Sequence, residues 1–156
     1  MENFGSWSVI TTNFLIILYL ALGGVTFSSV LHLVNGKWRF EIRNIACALY
    51  PLFAIAGILL VILLVFGEST FSWLKEANQA HEEGDAAGAH HLPGWHNYTF
   101  LVARQIGGFL VVVILYGLFI KYQRLSEIDQ SYRTQRTFRN IALLIPFAYF
   151  IYATMV

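Results

Sequence analysis

Two side chains could do chemistry within long stretches that are otherwise apolar: His32 and Arg104. An imidazole exchanges protons near neutral pH, which suits a proton relay or a contact to a polar ligand. A charged side chain within a membrane span is costly and usually faces protein or a wet cavity. His32 and Arg104 are therefore the candidate contacts for a quinone or for a proton.

Both residues also have purely structural interpretations. His32 lies near the end of its apolar stretch, where it could serve as an ordinary interhelical or interfacial hydrogen-bonding group. Arg104 lies six residues after Tyr98, about 9 Å along a helix. Its guanidinium could reach the interface from there. Alternatively, Arg104 is buried and pairs with backbone, lipid, a quinone oxygen or another subunit, since the predicted spans hold no carboxylate.

The remaining candidate ligands do not form a recognisable cofactor motif. Haem held between two histidines requires both at membrane depth, and only His32 lies in a predicted span. The lone cysteine, Cys47, is expected to be a small packing residue. The other histidines lie in one loop-like segment, which we interpret as solvated: His81, His90, His91 and His96. We expect no metal and no haem to be bound by this chain alone, and no catalytic constellation.

The elements that position these residues are predicted to be membrane helices. Of the 156 residues, 57% are hydrophobic and 12% are charged, against roughly 25% charged in soluble domains. Residues 45–67 hold no charged side chain, and about 35 Å of helix crosses a ~30 Å bilayer core. The sequence predicts an all-α integral membrane protein, a single membrane domain in which four spans form an up-down bundle: 12–34, 45–67, 98–120 and 140–156.

The distribution of charge predicts the orientation of these spans. The links 37–43 and 121–139 hold eight of the ten basic residues. Cytoplasmic loops carry an excess of lysine and arginine, so these links are expected to be cytoplasmic. The N- and C-termini and the loop 68–97 are then outside. A net charge of +1 gives no indication of a nucleic-acid partner.

Several short stretches resemble one known family. They are similar to the membrane subunits of bacterial alternative complex III, a quinol:electron acceptor oxidoreductase. These subunits belong to the polysulfide-reductase membrane-subunit (NrfD-like) superfamily. The similar stretches occur in the family's order: residues 38–43, LYPLF around Pro51, the apolar run that Gly67 closes, FSWL at 71–74, and HNYTFLVAR at 96–104.

The resemblance is closest to the second quinone-subunit type, called ActF. In that type a segment like LN-x-PFF-x-x-R opens the helix after the outer loop. Asn97, Phe100 and Arg104 keep this pattern, whereas Thr99 stands where proline is usual. Family subunits carry two helical bundles, so this chain matches one half of the family fold, either as the product of a split gene or as an incomplete chain.

The resemblance implies a haem-free, non-catalytic subunit of a respiratory complex in the bacterial cytoplasmic membrane. Its partners would be other membrane subunits, multihaem cytochrome subunits and iron–sulfur subunits. Its implied roles are scaffolding, quinone contact and proton conduction, with Arg104 and His32 as the candidate quinone or proton contacts. Other functions remain open on the residues: an accessory or assembly membrane protein, and the membrane anchor of a dehydrogenase or a small cytochrome b.

Overall fold

The computed structural model describes residues 2–67 and 98–156, which form helices and short turns. The helices are α1 (Glu2–Leu33), α2 (Arg39–Cys47), α3 (Leu52–Val65), α4 (Tyr98–Ile128) and α5 (Tyr132–Met155). This described part contains no β-strand. The predicted outer loop 68–97 lies outside the described residues.

Four helical segments are long and apolar enough to cross a membrane: Trp7–Leu33, Glu41–Val65, Thr99–Ile128 and Tyr132–Met155. The prediction of an all-α fold with four such helices is confirmed for residues 2–67 and 98–156. Helices suit a bilayer because each satisfies its own backbone hydrogen bonds without water.

Pairs of contacts show that α1 and α5 are antiparallel. Tyr19 donates a hydrogen bond to the carbonyl of Ala153 at 3.2 Å, and Ser29 donates one to the carbonyl of Ala142 at 2.7 Å. As residue numbers rise along α1, those of the partners fall along α5. The two helices therefore run in opposite directions.

The other neighbouring helices follow the same pattern, which defines an up-and-down bundle. Gln105 at the start of α4 contacts Met155 at the end of α5. Phe119, further along α4, packs against Phe138 near the start of α5 with ring centroids 5.3 Å apart. Between α1 and the segment of α3 with its preceding turn, Trp7 packs against Phe66 and Gly24 lies against Leu49. Between α3 and α4, Phe53 packs against Tyr116 and Gly57 lies against Phe109.

The bundle is apolar both inside and outside. Fully buried apolar and aromatic side chains form its centre: Leu18, Leu22, Val25, Tyr116, Phe119 and Ile145. Large apolar side chains also face outward, among them Ile16, Ile58, Val111 and Ile151. A soluble monomer rarely exposes large contiguous apolar patches, so this exterior is typical of a surface covered by lipid or by protein.

The predicted second span, 45–67, is interrupted. Helix α2 ends at Cys47 and α3 begins at Leu52, with Pro51 directly before it. Tight i→i+3 hydrogen bonds join the two helices, such as Tyr50 N–H to the carbonyl of Cys47 at 3.1 Å. Proline has no N–H and its ring crowds the preceding turn, so a continuous helix is disfavoured there.

The predicted polar link 121–139 is mostly helical. Helix α4 continues to Ile128 and α5 begins at Tyr132, so only residues 129–131 connect them. Ser131 caps α5 by accepting a hydrogen bond from Thr134 N–H. Lysine, arginine, glutamate and glutamine are good helix formers, so loss of hydrophobicity does not end a helix.

A proline inside α5 is compensated by a side chain from α1. Pro146 lacks an N–H, so the carbonyl of Ala142 has no donor four residues later in its own helix. Ser29 Oγ donates to that carbonyl at 2.7 Å and is itself fully buried. This bond ties α1 to α5 at a point where α5 would otherwise have an unsatisfied backbone group.

Close contact between α1 and the α2–α3 turn requires a glycine. A Cβ atom at Gly24 would lie 2.8 Å from the carbonyl oxygen of Ala46 and 2.8 Å from Leu49. The neighbouring Gly23 would meet nothing within 4 Å. Of the two small residues, Gly24 is thus the one that allows the backbones to approach.

Candidate functional site

An open cleft lies where α1 and α4 end and α2 and α5 begin. It has a volume of about 520 Å³, and among the described residues it is lined by His32, Arg43, Ser126, Glu127, Gln130, Gln135 and Phe138. Its size falls in the ~300–1,000 Å³ range of ligand clefts. We call it the His32 cleft. It combines polar donors and acceptors with one aromatic ring at the edge of an apolar bundle.

An ion pair between Arg43 and Glu127 forms part of the wall. Arg43 of α2 donates a hydrogen bond to the carboxylate of Glu127 near the end of α4. The arginine side chain is 7% exposed, whereas the glutamate side chain is 49% exposed. The pair therefore fixes the carboxylate while leaving it in contact with solvent.

The His32 imidazole is held by aromatic packing. Its ring centroid lies 4.2 Å from that of Phe138, with the two planes inclined by 44°. Phe138 is 1% exposed and rests in turn against Phe119. This stack connects His32, in the last turn of α1, to the core between α4 and α5, and so limits the motion of the imidazole.

A glutamine joins two of the helices that line the cleft. Gln135 Nε2, in the second turn of α5, donates a hydrogen bond to the carbonyl of Ser126 at 3.0 Å. Ser126 Oγ donates in turn to the carbonyl of Gln123 at 2.8 Å. The end of α4 and the start of α5 are thereby joined by side chains as well as by the short 129–131 link.

Polar side chains continue from the cleft into the bundle. Cys47 Sγ lies within hydrogen-bond distance of Gln123 Oε1, at 3.3 Å, and of Ser28 Oγ, at 3.5 Å. Gln123 is 3% exposed and Ser28 is fully buried. Cys47 was predicted to be a packing residue; it also links these buried polar groups of α1 and α4.

Arg104 lies at the other end of the bundle. It occupies the second turn of α4 and is partly buried. The adjacent Gln105 donates a hydrogen bond to the carbonyl of Met155 at 2.9 Å, and Tyr19 donates to that of Ala153. Carbonyls in the last turn of a helix have no donor within the helix. Gln105 and Tyr19 therefore supply donors to the last turn of α5, at the end of the bundle that holds Arg104.

The structure does not bring the two predicted site residues together. His32 packs on Phe138 near the start of α5, whereas Arg104 precedes the residue that contacts Met155 at its end. The path from Phe138 to Met155 along α5 is about 25 Å. One small ligand cannot contact both residues, and Arg104 does not line the His32 cleft.

No group of three or more histidine, cysteine, aspartate or glutamate side chains that could hold a metal occurs within residues 2–67 and 98–156. The four histidines of the predicted outer loop lie outside these ranges. His32 is the one histidine within the described residues, and its ring packs against that of Phe138.

Sequence reasoning did not single out three residues of the cleft: Arg43, Glu127 and Gln135. All three were assigned to polar links, where charged and amide side chains are expected. Arg43 and Glu127 do carry a signal, because they are opposite charges in the two links predicted to share one side. The position of Gln135 depends on where α5 begins, which the apolar pattern does not indicate.

Comparison of the chain with protein-family models, with curated proteins and with solved structures finds no match. The family resemblance of its short segments therefore stays a prediction.

Proposed function

We propose that this chain is an integral membrane subunit of a quinol-oxidising electron-transfer complex similar to bacterial alternative complex III. It crosses the bacterial cytoplasmic membrane several times, with the basic end of the bundle on the cytoplasmic side. Four long apolar helices with an apolar exterior support a place in the membrane. The stretches from 38–43 to 96–104 that resemble the membrane subunits of that complex support the choice of complex.

The observation that carries the proposal is the His32 cleft. A quinol has a small aromatic head with two hydroxyl groups and a long apolar tail. Its binding site therefore needs polar partners where an apolar helix surface ends. His32 lies in the last turn of α1, beside the ring of Phe138 and next to the Arg43–Glu127 pair. This arrangement provides a base, a ring contact and a solvent-exposed carboxylate in one place.

Each residue has a defined task in the proposed chemistry. Oxidation of a quinol releases two electrons and two protons. His32 accepts a proton from a quinol hydroxyl, since imidazole titrates near neutral pH. Glu127, half exposed, passes that proton to water while Arg43 holds its carboxylate in place, and the second quinol proton leaves directly to water at the open cleft. Haem or iron–sulfur groups held by partner subunits would accept the two electrons, and this chain contributes scaffold and quinone contact.

Arg104 has a separate task in this proposal, because it lies about 25 Å away along α5. Its position beside Gln105 and the end of α5 suits contact with a partner subunit. The planar guanidinium would bind a carboxylate or carbonyl of that subunit with two hydrogen bonds.

The test uses the chain within its complex, purified in mild detergent. His32→Ala is expected to lower quinol oxidation at least about tenfold while the complex assembles normally. Arg104→Ala is expected to weaken assembly instead, with partial recovery in Arg104→Lys. Arg124→Ala, an exposed charge at the basic end, is the matched control and is expected to be mild.

Two outcomes would contradict the proposal at different levels. If the His32→Ala variant oxidises quinol at the wild-type rate, the His32 cleft is not the site of quinol contact. If the chain purifies without any cytochrome or iron–sulfur subunit, it is not a subunit of such a complex. Purification with a dehydrogenase alone would favour the membrane-anchor alternative.

A further inference from the structure

A second cleft adjoins the His32 cleft and differs from it in composition. It has a volume of about 340 Å³ and lies between the end of α1 and the first turns of α5. Its lining residues are His32, Leu33, Asn35, Gln135 and Arg139. We call it the Arg139 cleft. It has an arginine, two amide side chains and an imidazole around a single leucine, and none of the described residues that line it is acidic.

The backbone at the end of α1 removes a source of repulsion for an anion. The Asn35 N–H bonds to the carbonyl of His32 at 3.3 Å, and the Gly36 N–H bonds to that of Leu31 at 3.1 Å. Asn35 has a positive φ of 53°, the backbone conformation that such a helix ending requires. Terminal carbonyls of a helix carry partial negative charge. Two of those in α1 are already engaged as acceptors.

The surrounding charge favours an anion. The segments 37–43 and 121–139 hold eight basic and three acidic residues, a net charge of +5. The acidic residue of the adjoining cleft, Glu127, is paired with Arg43. Arg139 is exposed at the start of a membrane-length helix, at the level where α1 ends with Leu33. The cleft therefore lies at the boundary between apolar and polar surface, on the strongly basic end.

We propose that the Arg139 cleft binds a phosphate group, supplied by the headgroup of an anionic phospholipid. Arg139 contacts two phosphate oxygens, because its planar guanidinium matches that geometry. The amides of Asn35 and Gln135 donate further hydrogen bonds, and Leu33 contacts the glycerol or upper acyl region. Basic clefts between membrane helices on the cytoplasmic side commonly hold such headgroups. This assignment does not depend on quinol binding in the His32 cleft.

The test is native mass spectrometry of the purified chain in mild detergent. The protein is titrated separately with phosphatidylglycerol, phosphatidylcholine and inorganic phosphate. Phosphatidylglycerol is expected to bind at one saturable site, more tightly than phosphatidylcholine. Arg139→Gln is expected to weaken that binding about tenfold, since a charge-assisted hydrogen bond is lost. Arg136→Gln removes the same charge from an exposed position of α5 outside the cleft, and is expected to change it less than about twofold.

The three ligands separate the possible sources of the phosphate. Displacement of phosphatidylglycerol by inorganic phosphate at similar concentration would assign the cleft to free phosphate instead of to lipid. Equal losses in Arg139→Gln and Arg136→Gln would overturn the proposal, because binding would then reflect the basic surface as a whole. Absence of saturable binding to wild-type protein would overturn it as well. Thermal unfolding of each variant without ligand checks that the bundle is intact.

Discussion

At the end of the bundle that holds His32, polar side chains face two open clefts, whereas at the end that holds Arg104 they donate to helix-terminal carbonyls. His32 and Glu127 line space that a ligand could occupy. Gln105 and Tyr19 instead donate hydrogen bonds to Met155 and Ala153. Both ends contain polar residues among apolar helices, but those residues have different neighbours.

The difference concerns what each polar atom does in the folded chain. A side chain that completes a helix end has a structural role, because that carbonyl has no donor within its own helix. A side chain that lines a cleft keeps capacity for an outside molecule. A charged residue in a membrane helix therefore does not by itself identify a functional site. Its neighbours in the folded chain must be known as well. The predictions below test whether the two ends differ in energy as they do in geometry.

The largest expected effect is removal of the carboxylate from the His32 cleft. Glu127→Ala leaves the nearly buried Arg43 without its carboxylate partner, which is expected to lower the free energy of unfolding by about 2 kcal/mol. This is below the usual cost for a fully buried pair because Glu127 is half exposed. Arg43→Ala instead leaves the half-exposed carboxylate of Glu127 without the arginine. The free energy of unfolding is then expected to fall by about 1 kcal/mol through loss of the pair.

The control for this comparison is Glu41→Ala, an exposed acid of α2 at the same end, with an expected change within about 0.5 kcal/mol. Denaturant unfolding in detergent micelles, followed by tryptophan fluorescence, provides the measurement. Equal losses for Glu127→Ala and Glu41→Ala would mean that the ion pair does not hold α2 against α4.

A smaller effect is expected from the bond between Ser29 and Ala142. Ser29→Ala leaves the Ala142 carbonyl without its donor, and about 1 kcal/mol is expected to be lost. Pro146→Ala restores an N–H that can bond to the same carbonyl, so Ser29→Ala should then cost close to nothing. At the other end, Tyr19→Phe removes a bond from a partly exposed hydroxyl and should cost less than Ser29→Ala does.

The double-mutant cycle between Ser29 and Pro146 is read from the same unfolding curves. If Ser29→Ala costs as much with alanine at position 146 as with proline, the serine contributes through packing and the carbonyl is satisfied in another way. If Tyr19→Phe lowers the free energy of unfolding more than Ser29→Ala does, the exposed hydrogen bond to α5 contributes more than the buried one. The contributions would then not follow burial, contrary to the expectation.

The sequence predicted the helical class and the number of membrane-length segments, because lipid-compatible length and loss of charge are local properties. It did not predict where helices end. Residues 121–128 are polar but helical, and residues 48–51 are apolar but form a turn that includes Pro51. The hydrophobicity of a segment indicates whether lipid or water surrounds the helix, whereas proline and capping residues determine where the helix begins and ends.

The site was predicted only in part for a related reason. His32 could be selected because an imidazole in an apolar stretch is rare. Arg43, Glu127 and Gln135 become partners of His32 only when the ends of α1, α2, α4 and α5 meet. Likewise, the role of Ser29 follows from Pro146, which lies 117 residues away in the sequence. Such pairings depend on the tertiary arrangement and are not visible in any single segment.

The smallest expected effect concerns the link beside the His32 end, at Asp129. Hydrogen bonds from Thr134 Oγ1 and from the backbone and side chain of Ser131 lower the pKa of the Asp129 carboxyl below its ordinary value of 3.8. These bonds favour the ionised form. The carboxylate therefore contributes stability that is present in full above the ordinary pKa. That contribution is lost as the pH falls through the lowered pKa of the folded state.

Asp129→Asn removes this contribution, so the variant should be slightly less stable than the wild type near pH 7 and equally stable at the acid end of the titration. Because the carboxyl is fully exposed, the difference should be smaller than that for Ser29→Ala. In a Thr134→Ala background the bond from Thr134 Oγ1 is absent. The pH at which the Asp129-dependent difference disappears should then move upward, toward 3.8. Unfolding curves measured from pH 7 downward test both expectations. If the difference in stability between the wild type and the Asp129→Asn variant stays constant with pH, ionisation of the Asp129 carboxyl does not cause it. The shape of the side chain at this link would then account for the stabilisation.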